Sequence, residues 1–301
     1  MPYSATEYWK KLHERDGLSA VGQSALPDAI NKWLYRPLAR NLRAFIKRNI
    51  YMHNRVIGRW KSEWVRGYWV MFWERLGWNV DGFDLIAAAV KDVQQHHPNG
   101  RFWVADVSQP GGLIADRGQP QWSLVTCMNV LLHVTHDEAF NRSLANVAAV
   151  VAPGGYLLLV EPILMTTTVE LQYDPEKHSR ARVLASYISP LVALGLELVA
   201  VEHGCVLANN PIEAGSNKAM ARYQSWWNWI ARRSKAKPRS ARWLGPVVYA
   251  LDWVAMRTPA AQRRSSLYCA ARLELARAAR DRPPEQYWSC CTPAFSCTFP
   301  V

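Results

Sequence analysis

Short polar side chains recur at the ends of β-rich runs in this 301-residue chain. Asp84 follows NVDGF, Asp106 follows RFWVA and Asn129 follows SLVTCM, while Pro153-Gly154-Gly155 precedes YLLLV. An ionised carboxylate is acceptor-only and can take hydrogen bonds from both hydroxyls of a ribose diol. Carboxylates at the C-terminal ends of parallel strands are where an open α/β sheet holds a nucleoside. Asp84 lies seventeen residues beyond Gly67, close to the ~20 that separate a strand-to-helix turn from its ribose acid. Each residue also has a plainer use. Asp84 could cap a helix starting at Leu85, and Asp106 could serve as a cap or turn residue.

Strand–helix alternation supplies the frame. Apolar residues at helical spacing mark EYWKKLHER and DAINKWLYRPLARNLRAFIKR, joined by the Gly/Ser/Pro loop GLSAVGQSALP. These form an N-terminal helical cap over residues 1–50. From Arg55 to Val160 short β-rich runs alternate with helices. Helix YWVMFWERLG precedes strand NVDGF, IAAAVKDVQQHH precedes RFWVADV, and WSLVTCMNV precedes DEAFNRSLANVAAVV, which ends at the Pro-Gly-Gly turn before YLLLVE. SRARVLASYISPLVALG then reads as a helix and LELVAVEHG as a strand. Two long helices, KAMARYQSWWNWIARRSKAK and RWLGPVVYALDWVAM, precede a last strand, SSLYCAARL. Alternation of this kind implies a parallel sheet with right-handed crossovers. The expected fold is α/β and Rossmann-like: a seven-stranded, mostly parallel sheet, helices on both faces, and a helical insertion at about 212–262 before the last strand. The domain spans 51–275. The tail, 276–301, has no periodicity and reads as disordered.

The order and spacing of these segments resemble the class I S-adenosylmethionine-dependent methyltransferases. GYWVMFW, DGFDL, VADVSQP and CMNVLLHVTHDEAFNRSLANVAAVVAPGGYLLLVEP carry the resemblance, and GLSAVGQSALPDAINKWLYR resembles the front segment of one bacterial branch. The resemblance implies S-adenosyl-L-methionine as cofactor. Gly67, Asp84, Leu85, Asp106, Val107, Asn129 and Val130 would line it, Asp84 on the ribose, Asp106 on the adenine amine and Val107 against the ring. Many relatives carry an acidic residue where Asn129 stands. His133, one turn beyond the fourth strand, is the candidate catalytic residue, since neutral imidazole can take a proton from a hydroxyl or amine nucleophile. The alternative is a histidine that packs against the cofactor or caps the helix beginning near His136.

One family feature is missing. The first strand should end in an acid, an apolar residue and glycines spaced GxGxG, so that backbone can approach the methionine moiety. Here the stretch reads RVIGRWKSEWVRGYW, with bulky Trp60, Lys61, Trp64 and Arg66 at positions that would fill the pocket and only Gly67 in place. Reading codons from their third base forces Glu across Trp60-Lys61 and Gly across Trp64-Val65, and permits LEVGVGTGYW overall. A compensated pair of frameshifts across about 56–66 accounts for this, and the nucleotide sequence of the locus decides it. For the protein as written, weak or absent cofactor affinity is expected.

Composition bounds the remainder. The net charge of +12 invites an anionic partner, but no nucleic-acid-binding pattern accompanies it, so no nucleic acid is expected. Trp226, Trp227 and Trp229 beside Arg232 and Arg233 resemble an interfacial helix, or a set of rings packing the insertion onto the sheet. The first of these implies peripheral membrane contact. The six cysteines make no paired CxxC motif, no metal is expected, and a cytoplasmic setting follows from the absence of a signal-like or membrane-spanning apolar run. The functional expectation is methyl transfer to a small-molecule acceptor. A catalytically inactive protein using the same fold for binding or scaffolding is the alternative.

Overall fold

The computed structural model describes residues 7, 26–50, 59–62, 67–109, 113, 122–164, 179–208, 216–236, 238–258 and 267–273. The expected N-terminal helix, Tyr8 and Trp9, the turn residues Trp64 and Arg66, His178 and the cysteine-bearing tail lie outside the described residues.

Helix α1 (Asp28–Asn49) buries Ile30, Leu34, Leu38, Leu42, Phe45 and Ile46, an apolar stripe at helical spacing. Strand β1 (Arg59–Ser62) leads to α2 (Tyr68–Glu74), whose Trp69 and Trp73 are fully buried. Then follow β2 (Asn79–Asp84), α3 (Ala87–His96), β3 (Phe102–Val104), β4 (Trp122–Met128), a 3-10 turn (Leu131–His133), α4 (Asp137–Ala149) and β5 (Val151–Glu161). Short strands β6 (Ile163–Leu164) and β7 (Arg182–Val183) pair with each other, and α5 (Leu184–Ala193) leads to β8 (Leu196–His203). Helices α6 (Asn217–Ala236) and α7 (Ala241–Ala255) precede β9 (Leu267–Leu273).

The main-sheet strands hydrogen-bond in the order β3-β2-β1-β4-β5-β9-β8. β1 to β5 pair in parallel, and β9 lies antiparallel between β5 and β8. Strand periodicity divides the core between the two faces. Leu124, Met128, Leu158 and Val160 pack with α1, α2 and parts of α6 and α7. Val125, Cys127, Leu157 and Leu159 pack with α4 and α5. Each such apolar side chain contributes about 1.5–3 kcal/mol by leaving water.

Four local expectations are corrected. Trp60 and Lys61 belong to β1, in register with Val80 and Asp81, and not to the turn after it. Pro153-Gly154-Gly155 lies within β5 and bulges: Trp122 pairs with Val151, Leu124 already with Tyr156, and Gly154 takes φ +72°. A Cβ on Gly155 would sit 2.8 Å from the Ala152 carbonyl oxygen, so the bulge requires glycine there. The helix expected from Ser179 begins at Leu184, after Arg182 and Val183 are taken by β7. Asp84 does not cap α3, because Ile86 occupies that position.

Candidate functional site

The strand order reverses between β1 and β4. β2 and β3 continue on one side of β1, while the chain returns on its other side to form β4 and β5. Such a topological switch point opens a crevice at the C-terminal ends of the strands. Gly67 heads α2 beside it with φ +76°, a left-handed conformation that suits glycine. Asn129, immediately after β4, has φ +60°, the only positive φ at a non-glycine among the described residues. Asparagine tolerates this region better than most residues, and such outliers gather at functional sites.

Asp84 and Asp106 share this edge. Asp84 is in register with Val104, and the Ala105 N–H donates to the Asp84 carbonyl at 2.9 Å. Asp106 and Asp84 thus follow the ends of neighbouring strands about 4.8 Å apart, while Asn129 follows β4, on the far side of β1. The Asp84 side chain is buried, and its Oδ1 accepts the Ile86 N–H at 2.8 Å. Burial pushes its carboxyl up to about 7, against the lowering effect of the Ile86 and Leu85 N–H groups. Leu85 is half-buried beside it.

Asp106 is half-buried and engaged locally. Its Oδ1 accepts from Ser108 N–H at 2.8 Å and Ser108 Oγ at 2.7 Å. It therefore acts as the turn residue named as its alternative, with spare lone pairs only. Val107 and Val130 are buried in the core cluster with Phe83 and Leu131. His133 is half-buried at the end of the 3-10 turn, and its N–H donates to Val130 O at 2.9 Å.

The sequence reading missed the residue that shapes this loop. Glu161, at the end of β5, is fully buried, and its carboxylate gathers three successive backbone donors. Val130 and Leu131 N–H reach Oε1 at 2.8 and 2.9 Å, and Leu132 N–H reaches Oε2 at 3.2 Å. Burial raises its carboxyl to about 7, opposed by these three bonds and by the Arg182 charge. From the other side Arg182 Nη2 donates to Val134 and Thr135 carbonyls, and its guanidinium lies 4.0 Å over the Phe140 ring. Arg180 N–H donates to Leu132 O at 2.8 Å. Residues 130–135 are thus held between an acid on β5 and two arginines around β7. The only sequence signal was an acid closing the apolar run YLLLVE.

A second carboxylate does the same for the helical layer. Asp252 on α7 is fully buried, and its Oδ1 accepts Val206, Leu207 and Ala208 N–H at 2.7, 2.8 and 3.2 Å. Asn41 Nδ2 on α1 donates to Gly204 O at 2.7 Å. His203 and Glu161 both pair with Leu267, so the loop after β8 lies at the same sheet edge as the loop after β4. Helices α1 and α7 are therefore tied to the site's edge.

No protein-family model and no curated protein matches the sequence. Solved structures match it in fold. The cyclase SpnF aligns with a TM-score of 0.50 at 13% identity, over 79% of this chain and 81% of that one. A protein described as a sarcosine dimethylglycine methyltransferase, from Galdieria sulphuraria, aligns with a TM-score of 0.52 at 10% identity, over 78% and 85% of the two chains. At such identities the likeness is one of fold.

Proposed function

We propose that this chain, whose fold is that of the class I S-adenosylmethionine-dependent methyltransferases, transfers a methyl group from S-adenosyl-L-methionine to a small-molecule acceptor. The observation that carries the proposal is Asp84, a buried carboxyl at the end of β2 beside the switch point between β1 and β4. A desolvated carboxylate whose Oδ1 takes the Ile86 N–H keeps lone pairs for two hydroxyls, which fits a ribose diol. Gly67, Leu85, Val107, Asn129 and Val130 complete the proposed cofactor contacts, with Asp106 offering its remaining lone pairs to the adenine amine.

When bound, the cofactor supplies an electrophilic methyl group on a sulfonium. The chain's own part is alignment. Glu161 and Arg182 hold the loop that carries Val130 and His133. His133 takes the proton released by a hydroxyl or amine acceptor. The helical layer of α1 and α7 at the same edge supports a roofed pocket suited to a small molecule.

A second reading is a catalytically silent protein of this fold. It is favoured by Lys61 in β1 and by the sequence between β1 and α2, which has none of the family's glycines before Gly67. That the matched SpnF is called a cyclase also shows that the fold carries other names than methyltransferase. Calorimetric titration with S-adenosylhomocysteine and with adenosine separates the readings. A saturable heat that Asp84→Asn weakens at least tenfold supports nucleoside binding at this edge. Near-equal affinity for the two ligands reports a weakened methionine end. No heat with either ligand leaves the silent reading in place.

A further inference from the structure

Helix α7 is apolar on its outer side as well as its inner side. Leu244 and Val248 are buried in the core cluster it shares with α1. Trp243, Val247, Leu251 and Val254, spaced four, four and three residues apart, are all exposed, Trp243 to 51% and Val254 to 53%. That spacing lines them up as one stripe along the helix. The helix contains two charged side chains, Arg242 at its start and buried Asp252, so no charge interrupts the outer face. A surface helix normally turns polar residues to water, and a contiguous apolar patch of this kind marks a contact surface.

The surroundings identify the partner. Residues 216–258 hold nine Lys and Arg against the single Asp252. Arg232, Arg233, Lys235, Arg239 and Arg242 are exposed where α6 turns into α7. Ser240 Oγ donates to Arg233 O at 3.1 Å, which fastens this basic turn together. At the other end the Arg257 guanidinium lies 3.5 Å over the Trp253 ring. Exposed Trp229, Trp243 and Trp253 add three indoles, the side chain that settles at headgroup depth. No helix among the described residues is long and apolar enough to cross a membrane. An apolar stripe bracketed by cations and tryptophans is the pattern of a helix lying in the bilayer plane. Two copies of this face would bring like charges together.

We infer that the exposed face of α7, with its flanking arginines, docks on an anionic lipid bilayer. The sequence reading put the membrane signal on α6. Trp227 is in fact buried there and Trp226 stacks on Trp229 at 5.5 Å, so α7 offers the continuous face.

The full chain is tested by co-sedimentation with phosphatidylcholine vesicles carrying about 30 mol % phosphatidylglycerol, and with pure phosphatidylcholine. The expected result is binding to the anionic vesicles that falls at least tenfold on pure phosphatidylcholine or in about 0.5 M salt. The double variant Trp243→Ser/Leu251→Ser should lower the partition coefficient at least tenfold with an unchanged melting temperature. Brominated acyl chains should quench the tryptophan fluorescence of the unaltered chain, a readout that needs no variant. Absence of both sedimentation and quenching overturns the inference. So does a solution dimer that the double variant converts to monomer, which would give the face to self-association.

Discussion

Replacing Glu161 should loosen the loop that carries Val130 and His133, by an amount the geometry sets. The carboxylate accepts three backbone N–H groups, and the first two belong to buried residues. Glu161→Ala strands all three donors and removes most of a buried side chain. At about 1–3 kcal/mol for each unsatisfied donor, the loss is about 3–9 kcal/mol, a large share of the ~5–15 kcal/mol of a typical domain. Glu161→Gln keeps a carbonyl oxygen for Val130 and Leu131 and turns its amide toward Leu132, so it sacrifices one bond and about 1–2 kcal/mol. The order of stability is therefore wild type, Gln, Ala, with the two variants separated by about 1 kcal/mol or more. Urea unfolding followed by tryptophan fluorescence measures it, and hydrogen exchange at residues 130–132 localises it. If Ala and Gln behaved alike, or both stayed within about 0.5 kcal/mol of wild type, the carboxylate would not be what holds the loop.

Stability should fall as pH rises through 7. Burial raises Asp84 from 3.8 and Glu161 from 4.5 to about 7, and raises Asp252 as well. Between about pH 4 and 7 the folded chain therefore holds protons that the unfolded chain has released, so this contribution is complete below pH 4 and lost above 7. Urea midpoints at pH 5 and 8 test the sign, and Glu161→Gln should remove part of the slope. Gly245→Ala should destabilise by about 1–3 kcal/mol, because its Cβ would run into the Trp33 ring where α7 crosses α1; a calorimetric melting curve detects this. Asp252→Ala should cost about 3–5 kcal/mol, because it leaves Val206, Leu207 and Ala208 N–H without their acceptor. Asp252→Asn should cost markedly less, and the same unfolding assay ranks the two.

Most of the frame was legible because its signals are local. The apolar stripe of α1, the near-continuous apolar runs of β4 and β5 and the acid closing β2 each declare themselves within a few residues. The Pro-Gly-Gly bulge was misjudged because β5 begins before it, and its pairing with Trp122 belongs to another strand. Glu161, Arg182 and Asp252 were missed for a related reason. Each acts on backbone groups about thirty residues away or farther, and a lone acid after an apolar run does not say whose N–H it will accept. Asp106 meets both of its readings. Its strand-end position suggested a ligand, while the serine two residues on supplies it with two donors.

The most direct measurement is a crystal structure of the full chain soaked with S-adenosylhomocysteine. The adenosyl group should lie across the ends of β2 and β4, with both ribose hydroxyls about 2.6–3.0 Å from the Asp84 carboxylate. Density for the nucleoside elsewhere, or an Asp84 that keeps only its Ile86 contact while the ligand binds, would contradict the account.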